Sequence, residues 1–384
     1  MMSESCLRQA RAANSCRAGR VRAVVAGRKV AVSAFAAANV IKLDTGAWVV
    51  GPRYRSKGVV HFLGGAFAGA APQVAYGLLL DSIAAAGYTA IATPYAVTFR
   101  HDECARGVRR QFLDSLQELR TGPRAGAGPG AGAGAARADL APPGAPVFGV
   151  GHSNGSLLHL LIGSFFPGAT ESNIIMSFNN KQVKDAIPVP GLMENLPGAL
   201  RAARAAAPNL PLPDLSALPL PVPLPSSGGD LLRGVASLLP RELGLDAAGQ
   251  LSGAGLLLDQ IPAVFDEVGG GATDFYPSPA ESRSLISSGY CVSPTLLVRF
   301  SDDSIDESTE MARLLQPRLG SGVTLLTLPG NHLTPCGGDL PAWPTGPVFT
   351  PADTLVQALR EGQQADIQRL CRQMVGWMDA IATR

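Results

Sequence analysis

Residues 147–157 read VFGVGHSNGSL, a serine set between two glycines where one apolar run ends and another begins. The run PVFGVG has the length of a short buried strand, and SLLHLLIGSFF has the length and pattern of a buried helix. Ser153 is therefore expected on a sharp strand-to-helix turn. Gly151 and Gly155 carry no β-carbon, so strand and helix can approach closely and strained dihedrals cost little there. This is the G-x-S-x-G nucleophile elbow, and the strand before it and helix after it supply the context that the bare pattern lacks.

Working outward, the segments on either side alternate. KGVVHFLGGAF reads as a buried strand ending in a glycine-rich turn, PQVAYGLLLDSIAAAGY as a helix with Pro72 in its first turn and Gly87 at its end, and TAIATPY as a strand. HDECARGVRRQFLDSLQELR places Val108, Phe112, Leu116 and Leu119 at helical spacing, with acids early in the helix. After the elbow come SNIIMSFNN, PTLLVRF and GVTLLTL as strands, TEMARLLQPRL as a helix, and a final long amphipathic helix. Alternation of this kind predicts an α/β fold with a mostly parallel central sheet and helices on both faces.

Three stretches break the pattern. Residues 1–39 are rich in Arg, Ala and Ser. The first thirty hold seven basic residues against one acid, net +6, so the chain's +2 leaves −4 for the rest. A basic, acid-poor head without a long apolar core reads as an organelle transit peptide, with the folded domain spanning 40–384. Residues 121–146, rich in Ala and Gly, read as a flexible insertion, because that composition cannot form a packed core. Residues 181–292 contain NLPLPDLSALPLPVPLPSSGG among short helical patterns and are expected to form a cap or lid above the sheet.

The composition also excludes classes of function. A mildly acidic body gives no support for a nucleic-acid partner. The six cysteines show neither CxxC nor Cys/His spacing, so neither a zinc site nor a disulfide framework is indicated. The uncharged stretch 58–80 is broken by five glycines, a proline and His61, which argues against a transmembrane segment. No Walker-type loop is present, HFLGGAF is not G-x-G-x-x-G, and no cofactor or metal is expected.

A serine hydroxyl is a weak nucleophile that needs a histidine to take its proton and a carboxylate to orient that histidine. In the α/β-hydrolase arrangement the chain order is Ser, acid, His, each on a loop after a strand. After TLLVRF comes SDDSID, and after VTLLTL comes PGNHLTP, which fits that order. His332 is the expected base. Asp303 is the expected acid, with Asp302 as its rival and Asp306 on the same loop. His152 lies too close in sequence to Ser153 to serve as base, and His159 falls inside a buried helix. The oxyanion donors are expected to be the backbone amide of Asn154 and that of Gly65 or Ala66.

GVVHFLGGAF, GVGHSNGSLLHLLI, NIIMSFNN, YPSPAESRSLI and LLVRFSDDSIDES resemble the plastid and cyanobacterial domain-of-unknown-function family thirteen-fifty, a branch of the α/β-hydrolases, over most of residues 50–335. The resemblance implies an α/β-hydrolase fold and a chloroplast location, in the stroma or peripheral to a membrane. The chain departs from that family at Asn154, where a leucine is common, and at Leu157, where a basic residue is common. Two functional expectations follow. One is a serine hydrolase of esterase, lipase or thioesterase type, forming an acyl-enzyme with a small-molecule acyl substrate such as a lipid or pigment ester. The alternative is a catalytically silent α/β-hydrolase-like binding protein or plastid assembly factor.

Overall fold

The computed structural model describes residues 39–66, 68–121, 137–181, 267, 274–337 and 351–383, with side chains in the last helix from residue 364. The expected transit peptide lies outside the described residues apart from residue 39. So do most of the alanine-glycine insertion and most of the section expected as a cap.

Eight strands form one sheet: β1 Asn39–Lys42, β2 Trp48–Gly51, β3 Val59–Leu63, β4 Thr89–Ala92, β5 Val147–His152, β6 Ser172–Met176, β7 Thr295–Phe300 and β8 Val323–Leu328. Their spatial order is β1-β2-β4-β3-β5-β6-β7-β8. β1 and β2 are antiparallel to their neighbours, while β4, β3, β5, β6, β7 and β8 run parallel. Parallel strands need crossovers, and those described are α1 Gly77–Ala85, α2 His101–Thr121, α3 Asn154–Phe165, α4 Pro279–Gly289 and α5 Ser308–Leu319, followed by α6 Pro351–Ala382.

Alternation along the strands divides the core. Val60, Phe62, Phe148, Val150, Ile174, Met176, Val298 and Phe300 face one side, packed with Leu79, Leu80 and Ile83 of α1 and Leu370, Met374 and Met378 of α6. On the other side Leu63, Ile175 and Leu297 pack with Leu157, Leu158 and Leu161 of α3, Ile286 of α4, and Met311 and Leu315 of α5. Val59, Ile91, Phe112 and Leu116 close the α2 end. Burying such a side chain contributes about 1.5–3 kcal/mol each, which is why the sheet is covered on both faces.

Two features differ from expectation. Pro279–Gly289, the last part of the section expected as a cap, is instead a crossover helix between β6 and β7. It packs on α3 and α5 and starts at a capping box between Ser278 and Glu281. The alternation therefore resumes earlier than the proline-rich stretch suggested. Secondly, β1 adds an antiparallel edge strand before Trp48, where the polar-flanked tetrapeptide NVIK carried no distinct pattern.

Candidate active site

The strand order reverses between β3 and β5: α1, following β3, packs on one face, and α3, following β5, packs on the other. The loops after these two strands therefore diverge at the C-terminal edge of the sheet, the place where open α/β sheets bind ligands. The loops after β6, β7 and β8 reach the same edge because those strands are parallel.

Ser153 sits at this edge with φ 54 and ψ −119, a backbone conformation that costs a non-glycine residue about 1–3 kcal/mol. The flanking glycines explain how the chain tolerates the turn. A β-carbon on Gly151 would lie 2.5 Å from the Gly155 carbonyl oxygen, and one on Gly155 would collide with the backbone oxygens of Leu63 and Gly64. α3 can pack against β3 and β5 only because both positions lack a side chain. The Ser153 amide donates to the Met176 carbonyl at 2.9 Å, fixing the turn to β6.

His332 arrives from the loop after β8. Gly330, at φ 123, permits the turn, and its carbonyl accepts the Asp302 amide at 2.9 Å, tying the two loops together. His332 Nε2 lies 3.0 Å from Ser153 Oγ, and His332 Nδ1 lies 2.8 Å from Asp303 Oδ2. A carboxylate only accepts, so Nδ1 carries the hydrogen and Nε2 is left to accept from the serine. The Asp303 side chain is fully buried and the His332 side chain is 21% exposed. Burial pushes the Asp303 carboxyl upward, but the hydrogen bond from His332, its charge, and the Ile305 amide together hold it below the ordinary value.

The structure separates the three acids of this loop. Asp303 turns inward to His332, while Asp302 is exposed. Asp306 accepts from the amide and hydroxyl of Ser308 at the start of α5, at 3.0 and 2.7 Å. Burial raises its pKa, with the Ser308 bonds opposing.

One expected donor is corrected. The Gly65 amide is already engaged by the Tyr76 hydroxyl at 2.7 Å, so it is not free for an oxyanion. Among the described residues no acceptor is seen for the amides of Ala66 and Asn154, the other two expected donors. The Gly65 α-carbon nevertheless passes close to the serine, since a β-carbon there would lie 3.1 Å from Ser153 Cβ. Tyr95 Oη donates to the Gly64 carbonyl at 2.5 Å, so two tyrosines grip the two sides of one peptide unit, that between Gly64 and Gly65.

Several site residues carried no sequence signal that singled them out. Tyr76 and Tyr95 read as ordinary apolar positions. Asn179, after β6, places Nδ2 3.3 Å from Ser153 Oγ. His152 is buried beneath the site and bonded on both ring nitrogens; its place between a buried strand and the serine was the available clue. A cavity of about 730 Å³ opens beside Asn180, between Lys181, Ser278, Arg283 and Glu307, but Ser153, Asp303 and His332 do not line it. Among the described residues no group of three or more His, Cys, Asp or Glu could hold a metal, and no helix is long and apolar enough to cross a membrane.

The strand order, the elbow after β5 and the loops after β7 and β8 make this an α/β-hydrolase fold. The chain belongs to the family described as Protein of unknown function (DUF1350), which it matches over residues 42–213 and 252–380. Similar solved structures include a lipase candidate from Acinetobacter baumannii AYE, with 14% identity, 91% of this chain and 93% of the other covered, and a TM-score of 0.48. A soluble variant of monoglyceride lipase from Saccharomyces cerevisiae has 15% identity, coverage of 89% and 94%, and a TM-score of 0.45. A thioesterase domain from the curacin biosynthetic pathway has 15% identity, coverage of 78% and 94%, and a TM-score of 0.39. No curated protein matches the chain.

Proposed function

We propose that the protein is a serine hydrolase that cleaves carboxylic esters or thioesters through an acyl-enzyme. The observation that carries this reading is the continuous chain Ser153 Oγ, His332 Nε2, His332 Nδ1, Asp303 Oδ2, at 3.0 and 2.8 Å. In the proposed reaction Ser153 attacks the acyl carbon as His332 takes its proton. The buried Asp303 carboxylate holds the tautomer and stabilises the imidazolium that forms. The carbonyl oxygen becomes an oxyanion, received by the amides of Ala66 and Asn154. His332 then protonates the departing alcohol or thiol, and water attacks the acyl-enzyme by the reverse route. The apolar sequence patterns within residues 181–292 support a lipid-like acyl group. The basic, acid-poor composition of residues 1–39 supports an organelle location, and the resemblance to a plastid and cyanobacterial family narrows the proposal to the plastid, checked by sequencing the N-terminus of protein recovered from isolated plastids.

Turnover of p-nitrophenyl acetate, butyrate and octanoate, and of acyl-coenzyme A thioesters of the same lengths, tests the reading. A pre-steady-state burst of one leaving group per chain, absent in Ser153→Ala, is the expected result. Absence of turnover from folded wild-type protein on every member would favour the binding-protein reading.

A further inference from the structure

We propose that Tyr76 and His152 are positioning residues that set the oxyanion loop and the base loop together, through one buried chain of hydrogen bonds beneath Ser153. This rests on the serine-hydrolase reading and extends it to two side chains whose hydrogen bonds go to each other and to the backbone of the neighbouring loops.

The chain runs from the loop after β3 to the loop after β8. Tyr76 Oη lies 2.7 Å from the Gly65 amide nitrogen and 2.8 Å from His152 Nδ1, and His152 Nε2 lies 2.8 Å from the His332 carbonyl oxygen. Every direction is fixed by chemistry. An amide N–H only donates, so the Tyr76 oxygen accepts from Gly65 and gives its own hydrogen to His152 Nδ1. A carbonyl only accepts, so His152 Nε2 bears the ring hydrogen. One neutral tautomer of His152 satisfies both ends, whereas the other would leave a bare Nε2 facing the His332 carbonyl.

The surroundings keep that state in place. Tyr76 is fully buried and His152 is 2% exposed. Burial, followed by the nearby His332, lowers the His152 pKa to about 3, and burial raises that of Tyr76, so both stay neutral across the physiological range. A side chain on Gly64 would strike the Tyr76 ring at 2.6 Å, so the bare α-carbon of Gly64 is what lets the tyrosine reach the loop. A residue needed only for packing has no use for these heteroatoms. Here the hydroxyl holds the amide next to Ala66, one of the two proposed oxyanion donors, and the imidazole holds the backbone of the proposed base itself.

The test uses the full chain as wild type, Tyr76→Phe, His152→Gln, His152→Ala and the double variant Tyr76→Phe/His152→Gln, with p-nitrophenyl acetate as probe. Tyr76→Phe is expected to lower kcat about 10- to 100-fold, the size of effect a misplaced site produces. Its KM is expected to stay within about threefold of wild type while the protein melts cooperatively. His152→Gln can keep an amide donor near the His332 carbonyl and is expected to retain more activity than His152→Ala. Because the residues act as a unit, the double variant should lose no more than the worse single variant. An unchanged kcat in folded Tyr76→Phe, or losses that multiply in the double variant, would overturn the proposal.

A second arm does not depend on turnover. Nitrogen-15 NMR of histidine-labelled wild type should show His152 protonated on Nε2, bare on Nδ1 and not titrating between pH 5 and 9. The opposite tautomer would overturn the hydrogen-bond chain. Wild type that shows this tautomer but hydrolyses no ester would instead sink the hydrolase reading.

Discussion

His332 Nε2 stands 3.0 Å from Ser153 Oγ although 179 positions separate the two residues in sequence. Strands β5 and β8 are not neighbours in the sheet, so this meeting depends on β6 and β7 filling the space between them in parallel register. The loop that carries His332 is further tied at its backbone by His152 and at Gly330 by Asp302.

Substitutions within the loop after β7 should separate Asp303 from its neighbour. Asp303→Asn leaves the shape intact but favours the wrong imidazole tautomer, and is expected to lower kcat by about 10³- to 10⁴-fold. Asp302→Asn alters an exposed carboxylate and should stay within about twofold. Ester kinetics on the two folded variants decide this, and equal losses would contradict the assignment.

Gly155→Ala places a methyl against the Leu63 and Gly64 carbonyls, which are backbone and cannot swing away. Overpacking of this kind is expected to cost about 1–3 kcal/mol or more. Thermal or urea unfolding measures it. A variant as stable as wild type would mean that α3 does not need the close approach seen here.

Asn154→Leu tests whether the side chain or the backbone at that position matters. The Asn154 side chain donates to Tyr95 Oη at 3.3 Å, a long contact contributing no more than about 1 kcal/mol, whereas the proposed oxyanion donor is its amide. Turnover of p-nitrophenyl acetate should therefore remain within about fivefold of wild type. A loss of a hundredfold or more would assign the chemistry to the side chain.

Acid should destabilise the fold through its buried histidines. Burial is the main cause that lowers the pKa of His61 well below the usual value, of His101 and His159 to about 4, and of His152 to about 3. The unfolded chain takes up protons near pH 6.5 that the folded chain refuses. Stability is thus fully present above about pH 6.5 and is lost as pH falls toward those lowered values, at about 1.4 kcal/mol per pH unit for each histidine. Asp303, also held low, adds a loss below about pH 4, while Asp306, raised, acts in the opposite sense. Melting temperature should be flat between pH 7 and 8 and drop steeply below about pH 6. A constant melting temperature down to pH 4.5 would contradict the buried, neutral state of these rings.

Much of this was legible in the sequence because it follows from local pattern. The strands after Gly58, the crossover helices around 77–85, 101–121 and 308–319, and the loops bearing Ser153, Asp303 and His332 all announce themselves through apolar periodicity and turn residues. The G-x-S-x-G glycines could be read as sites of close approach, and they are. Less visible were the partners that depend on three-dimensional direction. That Asp303 turns in while Asp302 turns out is set by a loop whose neighbouring carboxylates have the same composition. That Gly65 gives its amide to a tyrosine eleven residues away is a tertiary hydrogen bond with no local signature. His152 lies too close in sequence to Ser153 to serve as its base, yet its ring reaches the backbone of His332.

The most direct measurement of the central claim is intact-mass analysis of the full chain after reaction with a fluorophosphonate, for wild type, Ser153→Ala and His332→Ala. The account predicts one adduct per wild-type chain, mapped to Ser153, none on Ser153→Ala, and labelling slowed by at least about a hundredfold in His332→Ala. Folded wild type that takes up no adduct, or an adduct that persists in Ser153→Ala, would contradict an activated nucleophile at this elbow.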